Sequence, residues 1–241
     1  MSASCRKRLI IFTRYPEPGT TKTRMIPELG AEGAADLQRR MTDHLVAKVK
    51  TLIEQRSVKV EIRFDGGSQR LMREWLGPSF TYGHQGQGHI GRRMHRALVD
   101  GFQNGDRSIV IIGSDIPDIS TTIINRAFQE LEKTNLVLGP AGDGGYYLIG
   151  MHKTDQFQAY PELFGGINWG TNQVLTQTIA TANQLGMGYA LLDTLQDVDR
   201  PEDLQIWHRA GGSKSELTAQ RRISIIIPTL NEANLIEETI S

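Results

Sequence analysis

Apolar and polar positions along the chain alternate between two periods, one of strands and one of helices. Residues 109–112 (Ile-Val-Ile-Ile) are wholly apolar and β-branched, which predicts a strand buried on both faces of a parallel sheet. Residues 9–12 (Leu-Ile-Ile-Phe) predict a second short buried strand. Residues 58–64 alternate apolar with charged positions and predict a third, ended by the turn Asp65-Gly66-Gly67. A weak strand at 80–83 and further strands at 136–140 and 187–192 complete this set. Between them the helical period takes over. From Ala31 to about Gln55, residues Leu37, Met41, Leu45, Val49 and Leu52 recur every three to four positions, as on a long amphipathic helix packed on a sheet. Helices are likewise predicted over 68–76, 90–102, 121–133, 172–185 and 202–209, the last started by Pro201. Asp143-Gly144-Gly145 between two apolar runs predicts a hairpin, so that residues 146–149 return antiparallel to their neighbour. Strands alternating with helices give an α/β fold: a mostly parallel, twisted sheet with helices on both faces.

Composition narrows the functional classes. Lys plus Arg and Asp plus Glu both number 27, so no global positive field draws the chain to nucleic acid, although local phosphate binding stays open. Cys5 is the only cysteine, which excludes an internal disulfide and a thiolate zinc site. No stretch approaches the roughly 18 apolar residues of a membrane span, and the apolar run after the basic start is too short for a signal peptide. A cytoplasmic protein without a membrane span is expected.

Candidate chemistry gathers at the ends of the predicted strands. Asp115 follows Gly113 and Ser114 at the carboxyl end of the 109–112 strand, the edge of an open α/β sheet where ligands bind. There a carboxylate can hold a divalent cation against phosphate oxygens, or cap the next helix. Asp118 and Ser120 lie nearer that helix and can cap it themselves. The loop after the first strand carries prolines, Gly19 and several threonines, with Lys22 and Arg24 emerging among Thr21 and Thr23. It reads either as a solvated loop or as a phosphate cradle, and it lacks the Walker A spacing. Gly86-Gln-Gly88-His-Ile-Gly91 matches the dinucleotide fingerprint literally. Its preceding strand is polar, however, and two strand and helix units come before it, so a glycine-rich turn lining a nucleotide pocket is the better reading. His84, His89 and His95 nearby lack convergent carboxylates and read as polar surface or loop residues. Asp143 with Gly144 and Gly145 forms either a structural turn or one whose amides approach a ligand. A second glycine loop surrounds Trp169 and leads to Thr171, and Asp197 and Asp199 flank Val198 ahead of the last helix. Helix capping accounts for Glu202 and Asp203 but not for this pair, which can share a cation with Asp115.

Four of these stretches together resemble a known family: Pro16-Glu-Pro-Gly-Thr-Thr-Lys-Thr-Arg24, Gly113-Ser-Asp-Ile-Pro117, Leu138-Gly-Pro-Ala-Gly-Asp-Gly-Gly-Tyr-Tyr147 and Asp197-Val-Asp-Arg-Pro-Glu-Asp-Leu204. Their order is similar to that in the DUF2064 family, transferases of the nucleotide-diphospho-sugar transferase (GT-A) fold. These are akin to the guanylyltransferases of molybdenum cofactor and 2-phospholactate type. The resemblance implies a three-layer α/β/α domain over residues 1–208 and a metal-dependent transferase using a nucleotide donor. It implies Mg2+ or Mn2+ on Asp115 and Asp199, with Asp197 as second choice, and makes Lys22, Arg24 and Asp115 the catalytic groups.

On the substrate, the same resemblance places Gly19, Thr23, Gly86, Gly88, Arg93, Gly113 and Ser114 together with Asp143, Gly144, Gly145, Tyr146, Trp169 and Thr171. Family naming leans toward glycosyl transfer from a nucleotide sugar to a small-molecule acceptor. The Lys22 and Arg24 loop is closer to that of the guanylyltransferases, which use a nucleoside triphosphate. A non-catalytic nucleotide-binding module is a third reading, and a homodimer is left open. Two departures stand out: His89 and Arg92 replace an acidic pair around the Gln-x-Gly segment, and Arg200 replaces the usual Thr before Pro201. Residues 209–222 are linker-like. Residues 223–241 resemble the first strand of a family 2 glycosyltransferase, an expected fused partner of the kind described beside radical SAM/selenodomain transferases.

Overall fold

The computed structural model describes residues 7–54, 58–154 and 157–211. Within them seven strands, β1 (Lys7–Arg14), β2 (Lys59–Asp65), β3 (Thr81–His84), β4 (Ser108–Gly113), β5 (Leu136–Pro140), β6 (Tyr146–His152) and β7 (Tyr189–Leu191), form one sheet in the order β3-β2-β1-β4-β6-β5-β7. Six helices accompany them: α1 (Ile26–Glu54), α2 (Gln69–Leu76), α3 (Ile90–Gln103), α4 (Thr121–Glu130), α5 (Val174–Gln184) and α6 (Leu204–Arg209). None is long and apolar enough to cross a membrane. The expected start of a second domain at 223–241, and the linker beyond Gly211, lie outside the described residues.

The central strands show why a continuous apolar run was needed. Val110 and Ile112 of β4 pack with Leu45 and Val49 of α1 and Phe128 of α4. Ile109 and Ile111 face the other way, among Met94, Leu98 and Phe102 of α3. Each face of the sheet is therefore covered by helices, and every side chain of the strand meets apolar neighbours. The five α1 positions picked out by their spacing, Leu37, Met41, Leu45, Val49 and Leu52, are all buried. The helix begins earlier than expected, at Ile26, and is broken at Gly30, whose φ of 70° interrupts the helical backbone.

The hairpin at Asp143-Gly144-Gly145 sends β6 back antiparallel to β5, and β6 then also pairs antiparallel with β4. The remaining pairings, β1 with β2 and β4, β2 with β3 and β5 with β7, are parallel. A smaller cluster of Met25, Ala34, Leu37, Met41, Val198 and Trp207 packs the last described helix against α1. This cluster positions the segment that carries Asp197 and Asp199.

β2 departs from its alternating pattern. Its charged positions Glu61 and Arg63 are only 6% and 7% exposed, because a network of ions covers them. Arg8 donates to Glu61 and to Asp106, both at 2.5 Å, while Arg63 donates to Glu61 at 2.7 Å and pairs with Asp100 at 2.8 Å. Asp106 is fully buried, with Arg8 on one carboxylate oxygen and Lys59 3.7 Å from the other. Removing one member of a buried pair leaves the other desolvated and unpaired. Arg8→Met should therefore lower the unfolding free energy by about 3–5 kcal/mol in urea denaturation. A loss under about 1 kcal/mol, as for exposed pairs, would show that solvent screens the network.

Candidate functional site

From β1 the chain builds outward through β2 to the edge strand β3, then crosses to β4 on the other side of β1. The loops leaving the carboxyl ends of β1 and β4 consequently part, and a crevice opens between them. β4 ends at Gly113, which puts Asp115 at the mouth of that crevice. The loop after β1 is shaped by its own hydrogen bonds. Thr21 Oγ1 donates to Tyr15 O at 2.9 Å, and Arg14 Nη1 donates to Thr20 O at 3.0 Å. Lys22 then takes a left-handed conformation, φ 48° and ψ 45°, ahead of a 3₁₀ turn at Thr23–Met25 whose Met25 enters the core.

That turn points the Lys22 side chain inward, where it is 5% exposed. Its Nζ donates to Val198 O at 2.5 Å and lies 3.7 Å from Asp115 Oδ2 and 3.8 Å from Asp199 Oδ1. Arg24 pairs with the other oxygen of Asp199. Val198 is fully buried, and its N–H donates to Asp115 O at 3.0 Å. With Val198 as the plug, Asp197 and Asp199 on either side of it both line the open cleft. Burial first, then the charges of Asp115, Asp143 and Asp199, push the Asp197 carboxyl up to about 6.

The cleft has a volume of about 590 Å3, and its walls include Arg24, Gly113, Asp115, Asp143, Gly145, Tyr146, Trp169, Thr171, Asp197 and Asp199. A chamber of about 370 Å3 adjoins it, lined by Gly113, Ser114 and Arg93 along with Arg14, Gln38, Asp65 and Gln85. Most of the residues singled out in the sequence thus meet in one place. Asp115 and Asp199 suit a hard divalent cation in donor type, and both stand beside the Lys22 ammonium at the cleft. Mg2+ is commonly held by one or two carboxylates plus substrate phosphates. No group of three or more His, Cys, Asp or Glu among the described residues forms a closed cage. The donor set therefore fits a cation shared with a phosphate ligand.

Several expected ligand residues have other work. Gly19 and Thr23 are exposed and line neither cavity. Gly86 and Gly88 also lie outside both linings. The carbonyls of their turn accept from Arg96, at Gln85 O (2.6 Å) and Gln87 O (3.0 Å), and from Arg93, at Gly88 O (2.9 Å). Gly144 has φ +89°, and a Cβ there would stand 2.2 Å from Asn172 O, so the chain itself demands glycine. The Ser114 hydroxyl belongs to a buried network, accepting from Gln38 Nε2 at 3.0 Å and donating to Thr13 Oγ1 at 3.1 Å. His84 packs on Phe64, and His89 Nδ1 caps α3 by accepting from Arg92 N at 3.4 Å.

Asp65, Gln85, Gln38 and Arg14 were missed as lining residues. Gln38 alone left a signal, a polar side chain on the apolar face of α1.

Comparison with known proteins gives this architecture a family. Residues 45–171 match the model of a family described as "Uncharacterized protein conserved in bacteria (DUF2064)". The chain belongs to the DUF2064 family. The matched span includes Asp115 and the Asp143 turn, while Lys22, Arg24 and Asp199 fall on either side of it. No curated protein matches the sequence.

Among solved structures, a candidate nucleotide-diphospho-sugar transferase from Desulfovibrio desulfuricans G20 superimposes on this DUF2064 chain with a TM-score of 0.77 and 30% identity, over 87% of this chain and 89% of that one. A CMP:2-keto-3-deoxy-manno-octonic acid synthetase complexed with CTP gives a TM-score of 0.54 at 11% identity, covering 85% and 97% of the two chains. The 4-diphosphocytidyl-2C-methyl-D-erythritol synthase of Anaerococcus prevotii DSM 20548 gives 0.56 at 9% identity, covering 84% and 96%. The fold of this DUF2064 protein is that of nucleotide-diphospho-sugar transferases and cytidylyltransferases.

Asp65 on the chamber wall offers a pH test of the site's internal electrostatics. Burial works to raise its carboxyl, but hydrogen bonds from Arg14 (2.7 Å) and Arg93 (3.0 Å) outweigh that and hold it below the ordinary carboxylate value. A depressed pKa contributes stability that is present above the unfolded value, about 3.9, and lost as pH falls through the folded one. Wild type should exceed Asp65→Asn in melting temperature at neutral pH, and the two should converge below about pH 4. A difference that stayed constant into acid would mean the carboxylate charge contributes nothing.

Proposed function

We propose that this DUF2064 protein transfers a sugar from a nucleoside diphosphate sugar to a small-molecule acceptor. One observation carries the reading: carboxylates from the end of β4 and from the segment before α6 meet at Lys22, with Arg24 beside them. Asp115 and Asp199 would hold Mg2+ or Mn2+, with Asp197 within the same cleft. Such a cation neutralises phosphate charge and acts as a Lewis acid on a phosphoryl oxygen.

The chain's own residues supply the rest. Lys22, 5% exposed and outside both cavity linings, is fixed by Val198 O, so its charge is pre-oriented to hold Asp115 and Asp199 in place and would act on a departing diphosphate through them. Arg24, two thirds exposed and anchored at one end on Asp199, offers its remaining donors to the same group. The Asp143 turn, Tyr146, Trp169 and Thr171 line the same cleft and would meet the acceptor. The resemblance to the Desulfovibrio desulfuricans G20 protein supports this choice of donor.

A second reading is nucleotidyl transfer from a nucleoside triphosphate, favoured by Lys22 and Arg24 contacting one carboxylate together. An acceptor oxygen would then attack the α-phosphorus in line, with pyrophosphate leaving. Convergence of two carboxylates and two cations argues against a purely scaffolding module.

A thermal-shift series with nucleotide sugars and nucleoside triphosphates, each with and without Mn2+, separates these readings. A ligand at a hundredfold excess over its dissociation constant stabilises by about 2.7 kcal/mol. Sugar nucleotides should give a Mn2+-dependent shift that Asp115→Asn loses. A shift confined to triphosphates would favour nucleotidyl transfer, and none with any nucleotide would remove the transferase reading.

A further inference from the structure

Trp169 separates two spaces of different chemistry. On one side is the acidic cleft. On the other is a hollow of about 400 Å3 between α3 and residues 161–167, with His89, Arg92, His95 and Phe164 in its wall. Trp169 is the only described residue that lines both. The indole is firmly held. It stacks on His89 (5.8 Å between ring centres, 20° between planes) and on Phe164 (6.4 Å, 16°), and meets Tyr146 edge-on at 6.5 Å. Its ring also lies on Gly91 of α3, where a Cβ would come within 2.2 Å of it.

The hollow has basic and aromatic walls and, among the described residues, no carboxylate. Arg92 is exposed, and its guanidinium makes no described ion pair or hydrogen bond. His89 is exposed beside it, and the Nε2 of His95 is buried without a hydrogen-bond partner. An unpaired guanidinium, two imidazoles and flat aromatic faces together suit an anionic oxygen group carried on an apolar or aromatic body. The cleft across the indole has the opposite character, with Asp115, Asp143, Asp197 and Asp199 in its wall.

We propose that the hollow is a binding site for the anionic end of the acceptor, a phosphate monoester or carboxylate on an apolar body, which lies across Trp169 with its nucleophile in the cleft. The acceptor role rests on the transferase reading above. The anion site itself does not, since its residues are distinct from those that would hold the donor. Selectivity follows from the division of charge: an anion is attracted on the Arg92 side and repelled by the aspartates, which orients the acceptor in one direction.

The test uses phenyl phosphate and benzoate as probes and benzyl alcohol as the neutral control, titrated calorimetrically into the full chain. Either anion should bind saturably and benzyl alcohol should not. Arg92→Gln, an exposed position that leaves the core untouched, should weaken anion binding at least tenfold, whereas Asp115→Asn should leave it unchanged. Absence of saturable anion binding, equal affinity in Arg92→Gln, or clearly tighter binding in Asp115→Asn would each overturn the proposal, the last because relief of carboxylate repulsion would place the probe in the cleft. Arg92-dependent binding together with failure of every nucleotide to stabilise the chain would keep the anion site and remove only its acceptor role.

Discussion

The ammonium of Lys22 is the charge around which the functional edge is assembled. It reaches Val198 O, Asp115 and Asp199 only because residue 22 accepts a left-handed backbone, a conformation that costs a residue with a Cβ roughly 1–2 kcal/mol. Lys22 is the sole non-glycine residue with positive φ among those described. The cost is offset because three separate segments, the loop after β1, the end of β4 and the stretch before α6, are tied to one point. Without that ammonium, Asp115 would lose its ion pair and Asp199 would keep the one with Arg24. The same tie explains α6: Trp207 and Val198 share a cluster with Met25 and Leu37, so the helix clamps the Asp197-Val198-Asp199 segment where Lys22 can reach it.

Much of the fold was legible because its signals are local. Four consecutive β-branched residues can only be buried on both faces, and the spacing of Leu37, Met41, Leu45, Val49 and Leu52 can only be one helical stripe. The Asp143-Gly144-Gly145 turn correctly announced a reversed strand. What a turn cannot announce is where the returning strand inserts, and β6 takes the place beside β4 rather than remaining the outer arm of a hairpin. β2 shows the same limit. Alternation of apolar and charged residues reads as a half-exposed strand, yet Glu61 and Arg63 are buried because Arg8, Asp100 and Asp106 come from elsewhere in the chain to meet them.

At the site, legibility followed chemistry rather than glycine. Asp115, Asp197 and Asp199 stood out because capping could not account for all of them, and the structure brings them into one cleft. Glycines are a weaker signal, because a position can need glycine on account of the chain's own atoms. Gly86 makes room for the Arg96 guanidinium, Gly91 for Trp169 and Gly144 for the Asn172 carbonyl. A hydroxyl engaged with Tyr15 O, as in Thr21, or with Gln38 and Thr13, as in Ser114 on the chamber wall, is indistinguishable in sequence from one offered only to a ligand. Asp65 and Gln85 reach the chamber through pairings of β2 and β3 that no local pattern encodes.

Arg200 bears on the charge of the cleft more than on its shape. The backbone N–H groups of Asp199 and Arg200 both donate to Asp203 Oδ2, at 3.1 and 2.8 Å. Asp203 therefore fixes the turn whatever side chain residue 200 carries, and Asp199 keeps its place. What Arg200 adds is a second cation beside Arg24 in a lining that includes Asp115, Asp143, Asp197, Asp199 and Asp203. Acid still exceeds base on that wall. A diphosphate or triphosphate entering this cleft meets a net negative wall unless positive charge accompanies it. Lys22 cannot be that charge in full, because it is already divided between two carboxylates and a carbonyl. Under the proposed transfer, a divalent cation carried in on the donor's own phosphates would meet that balance most directly.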